Sequence, residues 1–159
     1  MANVQALLRV LEKRNELPSK GRRQVVEPPV PVPDSLPTLS PKHSRPMSPM
    51  LRERFAFAAG WENAFGATRW LSHAEMLKAA KDSRLLEGIA VIREDWDGAE
   101  IAELKPEQLA VFGHDVDQGR FTFLVWRTAA PEPEVIQYAG HEEGVYANLE
   151  EYLRWCLSE

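Results

Sequence analysis

Val4, Leu7, Leu8, Val10 and Leu11 recur at helical spacing, with Arg9, Glu12, Lys13, Arg14 and Glu16 largely on the other side. This pattern predicts an amphipathic helix over residues 2 to 16. Pro18 ends it, and residues 18 to 49 hold nine of the chain's twelve prolines. Proline has no backbone N–H to give to a regular ladder, so residues 17 to 47 read as an extended proline-rich arm or linker. Such an arm could be a spacer for the first helix or a ligand for a proline-recognising module.

The pattern changes at Ser48, an N-cap candidate placed before Pro49. Leu51, Phe55, Phe57 and Ala58 then predict a core helix that Gly60 stops. Residues 61 to 66 read as a loop and Thr68-Arg69-Trp70-Leu71 as a short strand. Ser72 and Glu75 form a capping-box pair that opens a helix running to about Asp82. The β-branched run Ile89-Ala90-Val91-Ile92 reads as a strand over residues 88 to 92. Residues 109 to 113 and 120 to 126 make a hairpin about Val116-Asp117-Gln118-Gly119, and residues 134 to 139 supply a further strand. Asn148 caps a last helix whose apolar stripe is Leu149, Tyr152, Leu153 and Cys156. Helices bracketing a run of antiparallel strands predict an α+β fold. Its expected form is a mostly antiparallel sheet with helices packed on one face, with the core domain spanning residues 48 to 159.

Charge changes this picture more than overall composition does. Residues 1 to 54 carry ten Lys/Arg and five Asp/Glu, whereas residues 55 to 159 carry nine and nineteen, so the balance is +5 against −10. A body at −10 repels a phosphate backbone and attracts a basic partner, although acidic surfaces also serve solubility alone. The N-terminus lacks the pattern of a signal peptide and no apolar run has bilayer-spanning length, so a cytoplasmic protein without membrane insertion is expected. The single cysteine, Cys156, lies in an apolar helical stretch and reads as a small buried hydrophobe.

The chain has no glycine-rich phosphate loop, no Gly-x-Ser-x-Gly elbow, no His-Glu-x-x-His and no paired cysteines, so no catalytic residue and no cofactor are assigned. The best metal candidate joins His114, Asp115 and Asp117 to His141, Glu142 and Glu143, a weak signal that solvated turns explain better. Glu94-Asp95-Trp96-Asp97-Gly98 has part of a calcium-loop composition and reads equally as a solvated loop anchored by Trp96. Tryptophans beside acidic residues suit a binding surface better than a reaction centre. Trp70 and Trp126, in strand patterns, are expected to be buried. Trp61 and Trp96, with Glu94, Asp95, Asp97, Asp115, Asp117, Glu142 and Glu143, are the candidate partner-binding residues.

The order of these segments resembles the SUKH superfamily, which groups yeast cell-wall assembly regulators with bacterial toxin-immunity proteins. The resemblance is carried by Leu109-Ala-Val-Phe-Gly-His-Asp115, by Arg120-Phe-Thr-Phe-Leu-Val-Trp126, by Glu134-Val-Ile-Gln-Tyr138, and by Val145-Tyr-Ala-Asn-Leu-Glu-Glu-Tyr-Leu153. Upstream, residues 55 to 60 and the Trp70-Leu71-Ser72 step into a helix are similar to the family's first core helix and its Trp-Leu-Ser segment. The resemblance covers residues 48 to 159. It departs at Trp126-Arg127, where the family's strand often ends in Asp, and in the proline arm, which replaces the usual helix entry. It implies an α+β fold and, in bacteria, an immunity protein that occludes a cognate toxin. Two alternatives are an intracellular scaffold acting through the N-terminal arm and a metal-dependent hydrolase built on His114 and His141.

Overall fold

The computed structural model describes residues 3 to 18 and 20 to 159. The N-terminal third supplies helix α1 (Val4–Arg14) and strands β1 (Val25–Val26), β2 (Ser35–Pro37) and β3 (Ser44–Pro46). Next come α2 (Pro49–Phe57), β4 (Trp61–Phe65), β5 (Thr68–Trp70), α3 (His73–Ala79) and α4 (Ser83–Asp95). The chain closes with β6 (Leu109–Asp115), β7 (Arg120–Val125), β8 (Glu134–Ala139), β9 (Glu142–Tyr146) and α5 (Leu149–Ser158). Seven strands form one sheet in the order β1-β4-β5-β6-β7-β8-β9, every pair antiparallel, and β2 and β3 form a separate hairpin. This is an α+β fold.

Successive strand residues point to opposite faces, so the register assigns every side chain to a layer. Thr122 and Gln137 are paired across β7 and β8, and the Tyr152 hydroxyl of α5 donates to the Gln137 side-chain Oε1 at 2.9 Å, which places α5 on that face. Trp61, Trp70 and Phe112 share it. Trp61 and Trp70 meet edge to face at 5.3 Å, and Phe57 of α2 stacks on Trp61 at 5.5 Å. Helix α1 packs across α2 and α5, burying Val4, Leu8 and Leu11.

In the middle of this layer lies Arg54, fully buried and without a carboxylate partner among the described residues. Its guanidinium donates to the carbonyls of Ala58 at 2.6 Å, Ala59 at 2.9 Å and Leu71 at 3.2 Å, and sits 4.7 Å from the Phe55 ring. Desolvation pushes its pKa down to about 9, so it is still a cation at neutral pH, held by carbonyl dipoles and aromatic faces.

The expectation of helices on one face is corrected by the register. Phe121 lies on the face opposite Thr122, and a side chain added at Gly88 of α4 would come within 2.7 Å of the Phe121 ring. Helix α4 therefore crosses the far side of the sheet, burying Leu85, Ile89 and Ile92, and α3 lies on the same side, since its Glu75 pairs with Arg69, which shares a face with His114 and Phe121. Residues 88 to 92 belong to this helix and are not a strand. Leu85, Ile89 and Ile92 follow the i, i+4, i+7 spacing of a helical stripe, and Asp82 caps the helix by accepting the Leu85 N–H at 3.1 Å. The capping box at Ser72 and Glu75 is present, but α3 ends at Ala79.

The proline segment is built into the fold. Val25 and Val26 pair with Glu62 and Trp61, and Glu27 continues the contact by exchanging backbone hydrogen bonds with Gly60 and Ala59. The β2-β3 hairpin docks through the Leu39 N–H on the Leu109 carbonyl at 2.8 Å and buries Leu36 completely. Residues 61 to 66, expected as a loop, contain the whole of β4 (Trp61–Phe65). The left-handed backbone at Asn63 (φ 53°) and a register shift between Trp61 and Phe65 interrupt its period of two.

Candidate functional site

Strand β9 is last in the sheet order, so its outer backbone edge faces no strand among the described residues. Its pairing with β8 turns Glu143 toward the Tyr138 side of the sheet, and Glu142, Gly144 and Tyr146 toward the α5 side. Gly144 leaves room for a neighbouring side chain. The Tyr146 ring leans over it, and an added Cβ would lie 3.0 Å from ring carbons.

On the Tyr138 side, Trp96 packs edge to face on Tyr138 at 5.1 Å and is half-buried. The Glu143 carboxylate accepts the Glu100 N–H at 2.8 Å, fastening the segment that leaves α4 to the sheet edge. A turn at Gly98 (φ 72°) lets the chain double back here. Exposed Glu94, Asp95 and Asp97 therefore stand around Trp96 beside the β8-β9 hairpin. Arg93 spends an N–H on the Leu104 carbonyl, and Arg127 is held between Glu100 and Glu134, so the local cations leave these three carboxylates unpaired among the described residues. Burial, together with a hydrogen bond to Glu143, raises the Tyr138 pKa and keeps its hydroxyl protonated.

On the α5 side of the same strand lies an open cavity of about 490 Å³. Phe65, Tyr146 and Trp155 wall it, with Trp155 5.2 Å from Phe65 and 5.3 Å from Tyr146. Glu142 and Glu159 line it together with one cation, Arg120. Aromatic faces beside carboxylates form a receptor for an arginine or lysine side chain. The β9 edge thus carries an acidic rim on one side and an aromatic, carboxylate-lined cavity on the other.

Of the nine candidate partner-binding residues, Glu94, Asp95, Trp96, Asp97, Glu142 and Glu143 come together at this edge. Asp115 and Asp117 lie at the β6-β7 turn, where Asp115 accepts the Gln118 N–H at 3.3 Å and Asp117 accepts from Arg84 of α4 at 2.8 Å. Trp61 does not belong to a surface. It is fully buried, and its indole N–H donates to Gln24 of the arm at 3.1 Å. Trp70 and Trp126 are buried as expected. Strand alternation sends His114 and Asp115 to opposite faces, and no group of three or more His, Cys, Asp or Glu among the described residues could hold a metal ion. Cys156 is buried, and burial pushes its thiol up to about 12.

Sequence reasoning missed Phe65, Tyr146 and Trp155, which only the strand register and the closing helix bring together. It also missed the charge cluster at Arg69. That guanidinium pairs with Glu75 at 2.5 Å, Glu27 at 3.0 Å and Glu62 at 3.1 Å, tying the arm, β4 and α3 to β5. Hydrogen bonds to Glu75 and Glu27 raise the Arg69 pKa. Burial works against Glu75 ionisation, but Arg69 and the Ser72 backbone N–H outweigh it and hold the pKa below the usual value. His114, next to Arg69 across the strand pair, has its pKa lowered chiefly by burial.

Comparison with protein-family models, curated proteins and solved structures finds no match for this chain. No helix among the described residues is long and apolar enough to cross a membrane.

Proposed function

We propose that this chain is a cytoplasmic immunity protein, a binding protein and not an enzyme, which captures a basic toxin at the β9 edge and neutralises it by covering its active site. The observation that carries this reading is the pairing, on one exposed edge strand, of an acidic rim around half-buried Trp96 with a cavity of aromatic and carboxylate walls. Unpaired carboxylates steer a basic partner to the edge, and Trp96 with the cavity supplies anchors that slow its release. The exposed backbone of β9 adds hydrogen-bonding groups that an extended segment of the partner can pair with. The SUKH-like order of segments over residues 48 to 159 supports the immunity role in particular.

Co-expression with the toxin-like product of a neighbouring gene tests the proposal. Growth rescue and a co-purifying complex are expected, with both lost when Glu94, Asp95 and Asp97 are changed together to Lys. Absence of rescue and of a complex with the unaltered chain would sink it. The scaffold reading through the N-terminal arm would draw on exposed Val10, Leu17, Val25 and Val30, whereas Val4, Leu8, Leu11, Leu36 and Leu39 are committed to the core.

A further inference from the structure

The β2-β3 hairpin of the proline segment and α3 enclose an open cavity of about 430 Å³ with a charge character opposite to that of the acidic body. Two ammonium groups, Lys42 and Lys81, and two imidazoles, His43 and His73, line it, and none of the lining residues is a carboxylate. Neither ammonium is paired with an acid among the described residues. Of the nearest acids in sequence, Asp82 caps α4, and Asp34 is fully exposed with Arg52 3.9 Å away. A pocket lined by two unpaired cations and no anion, in a chain of net charge −5, attracts an anion locally even though the molecule as a whole repels one.

The hairpin presents these groups in a set geometry. Thr38 is buried, and its hydroxyl lies 3.0 Å from the Ser40 carbonyl and 2.8 Å from the His43 carbonyl while accepting the Ser40 N–H at 3.1 Å. The turn between β2 and β3 is therefore closed by its own hydrogen bonds, and little ordering is left for a ligand to impose. Ser40 Oγ lies 2.7 Å from His43 Nδ1, which orients that ring, and His73 Nε2 is 3.0 Å from the Ser35 carbonyl, an acceptor that fixes the proton on Nε2. One wall is apolar. Leu77 is 52% exposed, and Pro37 and Pro41 face the same space.

We propose that this cavity binds a small phosphorylated organic molecule. The phosphate is held by Lys42, Lys81, the Ser44 hydroxyl and the one donor left free on the hydrogen-bonded Ser40–His43 pair, with the His73 ring alongside, and the organic part lies against Leu77 and the two prolines. Charged donors and hydroxyls together match the several oxygens of a phosphate monoester, and the apolar wall favours an ester over the free ion. The site lies apart from the β9 edge and does not depend on the toxin-binding proposal.

The test is a titration of the full chain, followed by NMR of the histidine ring protons, with phenyl phosphate, inorganic phosphate and phenol. Saturable shifts confined to His43 and His73 are expected with phenyl phosphate, weaker ones with inorganic phosphate and none with phenol. In the Lys42→Glu/Lys81→Glu double variant, both exposed positions, affinity is expected to fall at least about tenfold, with circular dichroism showing an intact fold. No saturable shift at His43 and His73 overturns the proposal, as does undiminished binding by the folded double variant or binding of phenol as tight as phenyl phosphate.

Discussion

Trp61 and Trp96 have similar neighbours in sequence, each beside an acidic residue in a stretch without strong periodicity, and the fold puts them to opposite uses. Trp61 lies at the centre of the layer that α1, α2 and α5 close, against Phe57 and Trp70, with its indole N–H satisfied by an arm residue. Trp96 lies at the rim of the other face, half-buried on Tyr138 and ringed by unpaired carboxylates. A tryptophan's chain neighbours do not decide whether it serves the core or a surface. What decides is whether a second layer covers it, and the covering layer at Trp61 includes residues from the proline segment.

The largest expected effect tests the core half of this comparison. Trp61→Ala should cost about 3–5 kcal/mol of stability by urea denaturation, and partner binding by the remaining folded fraction should be unchanged. Close behind it comes Arg54→Ala, which opens a cavity and leaves the Ala58, Ala59 and Leu71 carbonyls without their donor, at a cost of about 2–4 kcal/mol. Arg54→Met should cost clearly less, since a buried charge replaced by an apolar side chain of similar length removes desolvation along with the hydrogen bonds.

On the far face, Arg69→Ala removes the cation that three carboxylates share and should cost about 1–2 kcal/mol, less than Arg54→Ala because those carboxylates keep contact with water. Acid titration reads the same region. Burial lowers the His114 pKa, with Glu75, Asp82 and Asp115 pulling it upward and Arg69 pushing with the burial. Between the depressed folded value and 6.5 the unfolded chain binds a proton that the folded chain refuses, so stability should fall as pH drops below about 6.5. His114→Gln should flatten that limb. A further loss should follow below about 4.5, as protonation of Glu75 removes what its lowered pKa contributes above that range. The smallest stability change belongs to Trp96→Ala, under about 1 kcal/mol for a half-buried side chain, and it should carry a disproportionate loss of partner affinity.

The fold was legible wherever a local signal coincided with a layer. Ser48 before Pro49, the Ser72 and Glu75 box, Asn148, and the alternation through Phe121 and Phe123 each mark an element that the structure contains. Helix α4 was hidden because four β-branched and small residues cannot display a spacing that needs seven. The burial of Leu85, Ile89 and Ile92 makes it plain only once the sheet is in place. Strand β4 was hidden by the left-handed backbone at Asn63, and β9 by a polar Glu-Glu-Gly start suited to a sheet edge. The acidic half of the candidate site was readable as composition around Trp96. Its aromatic half was not, because Phe65, Tyr146 and Trp155 come from three elements that only tertiary packing joins.

The central claim is that the β9 edge, and not the arm, holds the partner. The direct measurement is the dissociation constant for the co-purified basic partner, compared among the unaltered chain, the folded Trp96→Ala variant and the folded Glu142→Lys/Glu143→Lys variant. The account expects both edge variants to bind at least about tenfold more weakly, with the charge-reversed one losing its on-rate first and more steeply at low salt. Unchanged affinity in both variants, with circular dichroism reporting an intact fold, would contradict it.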